Sequence, residues 1–170
     1  MIKVRFPIKP EAHSDSTMFT KQGIAYSPKG KKEYQSRLLD SAQVMGWDGS
    51  PIDWPVAALW VFSTARPKYL IRKKELNDKV IWNPTKPDTD GFLKCVKDVL
   101  QVGPLSKKSK SRNGLGLLTN DSRICLEVVQ KVHPPLGYKE EILLFLIPLG
   151  DKTNAIVNIL EILNDQHRPH

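Results

Sequence analysis

Lys86-Pro87-Asp88-Thr89-Asp90-Gly91-Phe92-Leu93-Lys94-Cys95-Val96-Lys97-Asp98-Val99-Leu100 organises this 170-residue chain. Phe92, Leu93, Val96, Val99 and Leu100 are spaced as one apolar helix face, which must be buried. Asp90, Lys94 and Asp98 recur every fourth residue and line the opposite, polar face. The residue before Pro87 is pushed toward an extended conformation, so Lys86 to Asp90 is predicted to be strand-like or loop. In such a run Asp88 and Asp90 project to the same side.

Two carboxylates held that close raise one another's pKa unless a positive charge lies between them. A hard divalent cation answers that need, because magnesium takes one or two carboxylates and completes its shell with waters and phosphate oxygens. Such a site suits phosphodiester hydrolysis. The same residues also admit a purely structural reading. Asp90 can cap the helix, Asp88 can complement its dipole, and Lys94 can form an exposed pair one turn on.

The composition is that of a single globular domain spanning 1–170, long enough to close a core. A formal net charge of +8 makes a polyanion a natural partner. The longest apolar run, Ile142 to Leu149, is far short of the ~20 residues a membrane-spanning helix needs. The start, Met1-Ile2-Lys3-Val4-Arg5-Phe6, lacks the pattern of a secretory signal. Cys95 and Cys125 have no CxxC spacing, and His13, His133, His167 and His170 have no zinc-ligand spacing. Reduced thiols in a cytoplasmic protein are expected.

Ile2, Val4, Phe6 and Ile8 alternate as a half-buried strand, followed by a polar loop from Glu11 to Gly30. Lys31 to Met45 reads as a helix with Tyr34, Leu38, Ala42 and Met45 on one face and Gly46 as its stop. Val56 to Phe62 is a mid-sheet strand. Arg66 to Lys79 is a basic loop that can be a solvated surface or a phosphate-contacting arm, carrying Arg66, Lys68, Arg72, Lys73 and Lys74. Val80 to Trp82 forms a short strand. Gly103 to Gly116 holds Lys107, Lys108, Lys110 and Arg112 without apolar periodicity and is predicted to be a basic flexible insertion. Asp121 precedes an alternating strand beginning at Ile124, and Ile142 to Ile147 is a buried strand. Ala155, Ile156, Ile159, Leu160 and Leu163 mark a C-terminal helix of about 152–165. The expected fold is α+β: a mixed, mostly antiparallel sheet with about three helices on one face.

Together these residues resemble the RusA family of Holliday junction resolvases, small endonucleases common in phages and prophages. Lys86-Pro87-Asp88-Thr89-Asp90-Gly91-Phe92-Leu93-Lys94 with Asp98 is similar to the family signature KPDxDNxxKxxxDaL. Asn120-Asp121-Ser122-Arg123-Ile124 resembles its DDxxV/I segment. Gly23 to Pro28 with Glu33-Tyr34 resembles the early GxAYxPxxxxxY block, and Arg66-Pro67-Lys68 the RPK block. The four blocks stand in the family's order.

The resemblance implies a homodimer that binds branched DNA, resolves four-way junctions by paired symmetric nicks, and serves DNA recombination and repair in a bacterial or phage-infected cell. It implies magnesium, with manganese able to substitute, and no organic cofactor. Asp88, Asp90 and Asp121 would be the acidic metal ligands and Lys94 the catalytic-site lysine, with Asp98 orienting Lys94 one turn away. Lys29, Lys31 and Lys32 would join the basic residues of the two loops as phosphate contacts. The strand Val56 to Phe62 and the last helix are candidate dimer faces. Gly91 replaces the usual Asn, Asn120 stands where a first acid is common, and Asp15 to Phe19 replaces a basic run. A junction-binding protein of the same fold with weak or no turnover is the alternative, and an interaction protein whose aspartates only cap a helix is a third.

Overall fold

The structure, a computed structural model, describes residues 1–13, 18–19, 25–26, 29–106 and 109–149. In chain order the elements are β1 (Ile2–Phe6), β2 (Met18–Phe19), β3 (Ala25–Tyr26), α1 (Lys29–Ser41), β4 (Gln43–Met45), β5 (Val56–Ser63), α2 (Lys68–Ile71), β6 (Ile81–Trp82), α3 (Thr89–Leu100), β7 (Pro104–Ser106), β8 (Ser109–Asn113), β9 (Ile124–His133) and β10 (Glu141–Pro148). Short 3-10 turns lie at Lys74–Leu76 and Asp121–Arg123. The six-stranded sheet has the order β4-β1-β10-β5-β9-β6. Only β5 and β9 run parallel in it. A parallel pair needs a long crossover, and α3 lies in the connection that supplies it. The expected α+β class is the observed one.

Every residue of β5 is buried, and β10 is buried from Ile142 to Ile147. Their continuous apolar runs follow from burial on both faces. On one face Val4, Phe6, Ala58, Trp60, Phe62, Ile142 and Leu144 pack against Tyr34 and Leu38 of α1 and Phe92, Val96 and Val99 of α3. The Phe62 ring stacks on Phe92 at 5.1 Å and on Trp60 at 6.2 Å. On the other face Leu59, Val61, Val132, Leu143 and Phe145 form a second cluster. Because β5 is interior to the sheet and Trp60 has no exposed surface, that strand offers no free dimer face. Among the described residues no helix is long and apolar enough to cross a membrane.

Three predicted elements differ. The helix expected through Met45 ends at Ser41, and Gln43–Met45 pairs with β1 as an edge strand. Gly46, at φ +74°, turns the chain where a side-chain carbon would come 2.7 Å from the Met1 carbonyl oxygen, so pairing with β1 overrides helical periodicity. The insertion expected to be flexible contains a hairpin, β7 against β8. Gly114 lets it return closely, since a side-chain carbon there would lie 2.3 Å from the Gln101 carbonyl oxygen. The basic loop 66–79 contains α2 and a 3-10 turn. The C-terminal helix of about 152–165 falls outside the described residues, as do Lys107 and Lys108.

Tyr34 ties the segment after β1 to α1. Its hydroxyl donates to the Lys9 carbonyl at 3.2 Å and accepts from the Glu11 N–H at 3.0 Å. Burial pushes its pKa above the ordinary 10.0. Replacing Tyr34 by Phe is expected to cost about 1–3 kcal/mol in urea unfolding at neutral pH, because two backbone groups lose their partner. The folded phenol holds its proton more tightly than the unfolded one, so its contribution is whole below pH 10.0 and is lost as pH rises beyond it. The wild-type urea midpoint should therefore fall toward that of the variant in alkaline buffer.

Candidate functional site

The polar end of α3 is built from its first turn. Asp88 has extended dihedrals, φ −69° and ψ 156°, and stands at the N-cap, with Thr89 the first helical residue. Asp88 and Asp90 are therefore the cap and the first turn of one helix, not alternate positions of an extended run. Asp88 is exposed, and its carboxylate makes no capping hydrogen bond. Asp90 pairs with Lys94 at 3.2 Å on the solvent face of α3.

Asp88 and Thr89 line an open cavity of about 470 Å3 with Trp82, Asn83, Val129 and Lys131. Lys131 was not among the sequence candidates. It is buried, and its ammonium donates to the carbonyls of Pro87, at 2.7 Å, and Thr85. That fixes the turn immediately ahead of Asp88. The available signal was a lysine in phase with Val129 in a strand whose neighbours are apolar. Asn83 shapes the same turn, accepting from the Thr85 N–H at 3.0 Å and donating to the Thr64 hydroxyl at 2.8 Å.

Asp98 reaches α1, accepting from Gln35 Nε2 at 3.0 Å and pairing with Lys31 at 3.2 Å. It joins the two helices at a point where Lys31 was expected to meet DNA. Lys97, the residue before Asp98, pairs with Glu127 at 3.1 Å, and Glu127 in turn accepts from the Trp60 indole at 2.9 Å.

Asp121 opens the 3-10 turn that leads into β9 and packs beside α3. Asn120 caps that turn by accepting from the Ser122 N–H at 2.8 Å. Arg123 pins it to Asp53 at 2.7 Å. Among the described residues no three Asp, Glu, His or Cys side chains come together as a metal-holding group. Asp121 thus lies on the same helix layer but is not gathered with Asp88 and Asp90. Oxygen donors at Asp88 and Asp90 fit the one or two carboxylates that magnesium uses, the rest of its shell being water and phosphate.

The basic residues divide. Arg66 is buried, and its guanidinium donates to the carbonyls of Pro134 and Leu76, each at 2.7 Å, and of Lys79. It is committed to holding the loop rather than reaching outward. Lys32, Lys68, Arg72, Lys73 and Lys74 are exposed. The side chains of Lys29, Lys110 and Arg112 fall outside the description, although their backbones lie in α1 and β8.

The sequence model of the family described as endodeoxyribonuclease RusA matches residues 7–110. The chain belongs to the RusA family. That family comprises Holliday junction endodeoxyribonucleases, so hydrolysis of DNA strands at junctions is the chemistry it implies, generally with a divalent metal. The matched region includes Asp88, Asp90 and Lys94 and stops short of Asp121. No curated protein matches the chain. Two departures from the RusA signature fit their local surroundings. A side-chain carbon at Gly91 would come 3.2 Å from that of Ala12, and the His13 N–H donates to the Gly91 carbonyl at 3.0 Å. Asn120 caps as an aspartate would.

Lys131→Met keeps the aliphatic stem and removes the ammonium. The variant is expected to lose about 1–3 kcal/mol of stability. Hydrogen exchange should show faster opening at Thr85 and Asp88 than at Val96; protection at the turn equal to wild type would contradict the assigned role.

Proposed function

We propose that this RusA-family chain is a divalent-metal-dependent, structure-selective endodeoxyribonuclease that resolves four-way DNA junctions by paired nicks. The observation that carries the reading is the state of Asp88. It holds the N-cap position yet makes no side-chain capping bond, and it lines an open cavity at the start of the helix whose first turn carries the Asp90–Lys94 pair. A capping hydrogen bond therefore does not account for Asp88, and Asp90, in the first turn, is not the cap.

Asp88 and Asp90 would hold magnesium or manganese, and Asp121, which stands apart from them, would have to close in to serve as a third ligand. The metal supplies Lewis-acid stabilisation of the phosphate and an activated water. The remaining work falls to this chain's side chains. Lys94 places an ammonium beside the carboxylates, where it offsets charge building on the scissile phosphate. Lys131 holds the turn that aims Asp88. Lys68, Arg72, Lys73 and Lys74 supply exposed positive charge on the segment running into β6, suited to a DNA arm. Two copies, each with one site, give the paired nicks, since a two-fold dimer matches the near two-fold symmetry of the junction.

A second reading, junction binding with little turnover, draws on one observation: Asp121 is not gathered with the other two carboxylates. The two readings separate cleanly. With a labelled four-way junction and magnesium, symmetric cuts near the branch point are expected, and Asp90→Asn should abolish them while junction binding in EDTA persists. Lys94→Met should lower the cleavage rate about 10²–10³-fold. Tight binding without a cut in magnesium or manganese would select the non-catalytic reading instead.

A further inference from the structure

The turn that delivers Asp88 to the start of α3 has no apolar anchor. Pro84, Thr85, Lys86, Pro87 and Asp88 are all exposed, so packing does not set its shape. Asn83, just ahead of it, is only 9% exposed. Burying an amide is unfavourable unless both of its ends find partners, and here both do. Its Oδ1 accepts from the Thr85 N–H at 3.0 Å and from the Thr85 hydroxyl at 2.6 Å. Its Nδ2 donates to the Thr64 hydroxyl at 2.8 Å. With the Lys131 ammonium on the Thr85 carbonyl, Thr85 is gripped at its N–H, its side chain and its C=O. The orientation of the amide follows from its partners. A backbone N–H can only donate, so the amide oxygen must face Thr85 and the NH2 must face Thr64. The Thr64 hydroxyl accepts there, and its own proton has the Val132 carbonyl at 3.2 Å and His133 Nδ1 at 3.3 Å within reach.

We propose that Asn83 is a positioning residue for the divalent-metal site, holding the turn so that the Asp88 carboxylate stands where the cation binds, with Thr64 fixing the Asn83 amide. The proposal rests on the reading of Asp88 as a metal ligand in a junction nuclease, and it extends that site to two residues outside the Lys86 to Leu100 stretch. The physical reason lies in what the turn lacks. A ligand on an unpacked, exposed segment must lose conformational freedom when it binds a cation, and that loss weakens binding. Hydrogen bonds that fix the segment beforehand remove part of this cost, which is why partners behind a metal ligand tune affinity nearly as much as the ligand itself. Asn83 bonds to the turn and to Thr64, so its amide acts on the route to Asp88 through Thr85, Lys86 and Pro87. The exposed cations assigned to DNA lie elsewhere, on the segment from Lys68 to Lys74, which Arg66 secures through its own bonds to Pro134, Leu76 and Lys79. Loss of the amide should therefore separate metal binding from DNA binding.

The test titrates the full chain with manganese in the absence of DNA, following free Mn2+ by electron paramagnetic resonance. Asn83→Leu, close to the amide in size but without its donor or acceptor, should bind Mn2+ roughly ten- to hundredfold more weakly than wild type. Thr64→Val should weaken binding in the same sense, and Thr64→Ser, which keeps the hydroxyl, should restore it. Junction binding in EDTA should be unchanged in all three variants, which also shows that they fold. In Asp88→Asn protein, whose remaining affinity rests on Asp90, Asn83→Leu should have no further effect, because the group it positions is gone. Mn2+ affinity equal to wild type in Asn83→Leu would overturn the proposal. So would a loss that persists in full in the Asp88→Asn background, or a loss of junction binding in EDTA, since either marks a general structural role. Failure of the nuclease reading is a distinct result: Mn2+ affinity depends on Asn83, but wild type cuts no junction in magnesium or manganese. Metal-dependent cleavage with Mn2+ affinity indifferent to Asn83 removes the positioning role alone, and a wild-type chain that binds no Mn2+ overturns both.

Discussion

The packing of one face of α3 onto the aromatic pair of β5 is the constraint on which everything else depends. Phe92 stacks on Phe62, and Val96 and Val99 fill the space beside Trp60 and the β10 side chains. Full burial of each such side chain contributes about 1.5–3 kcal/mol, far more than an exposed pair such as Asp90–Lys94. The apolar face therefore dictates the helix's rotation, and the polar face has no choice but to point to solvent. Because α3 is part of the crossover between parallel strands β5 and β9, its N-terminus comes to lie over the far half of β9. There Asp88 meets Val129, Lys131 and the edge strand β6.

Around that helix the charges sort by what they hold. Asp98 is spent on Lys31 and Gln35 of α1, Lys97 on Glu127, Arg123 on Asp53 and Arg66 on three carbonyls. Each secures a boundary between elements that the apolar core does not reach. Burying a charge is costly unless its hydrogen bonds are met, so these partners account for Arg66 and Lys131 as parts of the scaffold. The cations left in solvent on and beside α2 are the ones suited to a polyanion. Net charge alone, +8, could not make that division.

Departures from the RusA signature illustrate how local packing rewrites a motif. At Gly91 the N-terminal segment at Ala12 and His13 passes close over α3, so a side chain there would require that segment to shift by a few tenths of an ångström. Asn120 replaces a carboxylate yet still supplies the oxygen that caps the turn before β9. Neither change touches Asp88, Asp90 or Lys94, and the open face of the helix is preserved.

Periodicity was enough to read α3, the buried strands β5 and β10 and the alternating β1, because those elements are set by which residues must leave water. The four-residue repeat of Asp90, Lys94 and Asp98 on the polar side of α3 was equally legible, since that spacing places three residues on one helix face whatever surrounds it. Contacts between residues distant in the chain were not legible. The edge strand at Gln43–Met45 exists because β1 offers hydrogen bonds, and the turn before Asp88 is held by a lysine some forty residues on, at 131. The same holds for Arg66, which local charge marks as a DNA contact and tertiary burial turns into a clamp. Local sequence determines which face of an element is apolar and which groups it carries. Only the folded chain decides which of those groups find a partner, because hydrogen bonds and ion pairs depend on separations in space that no spacing along the chain encodes.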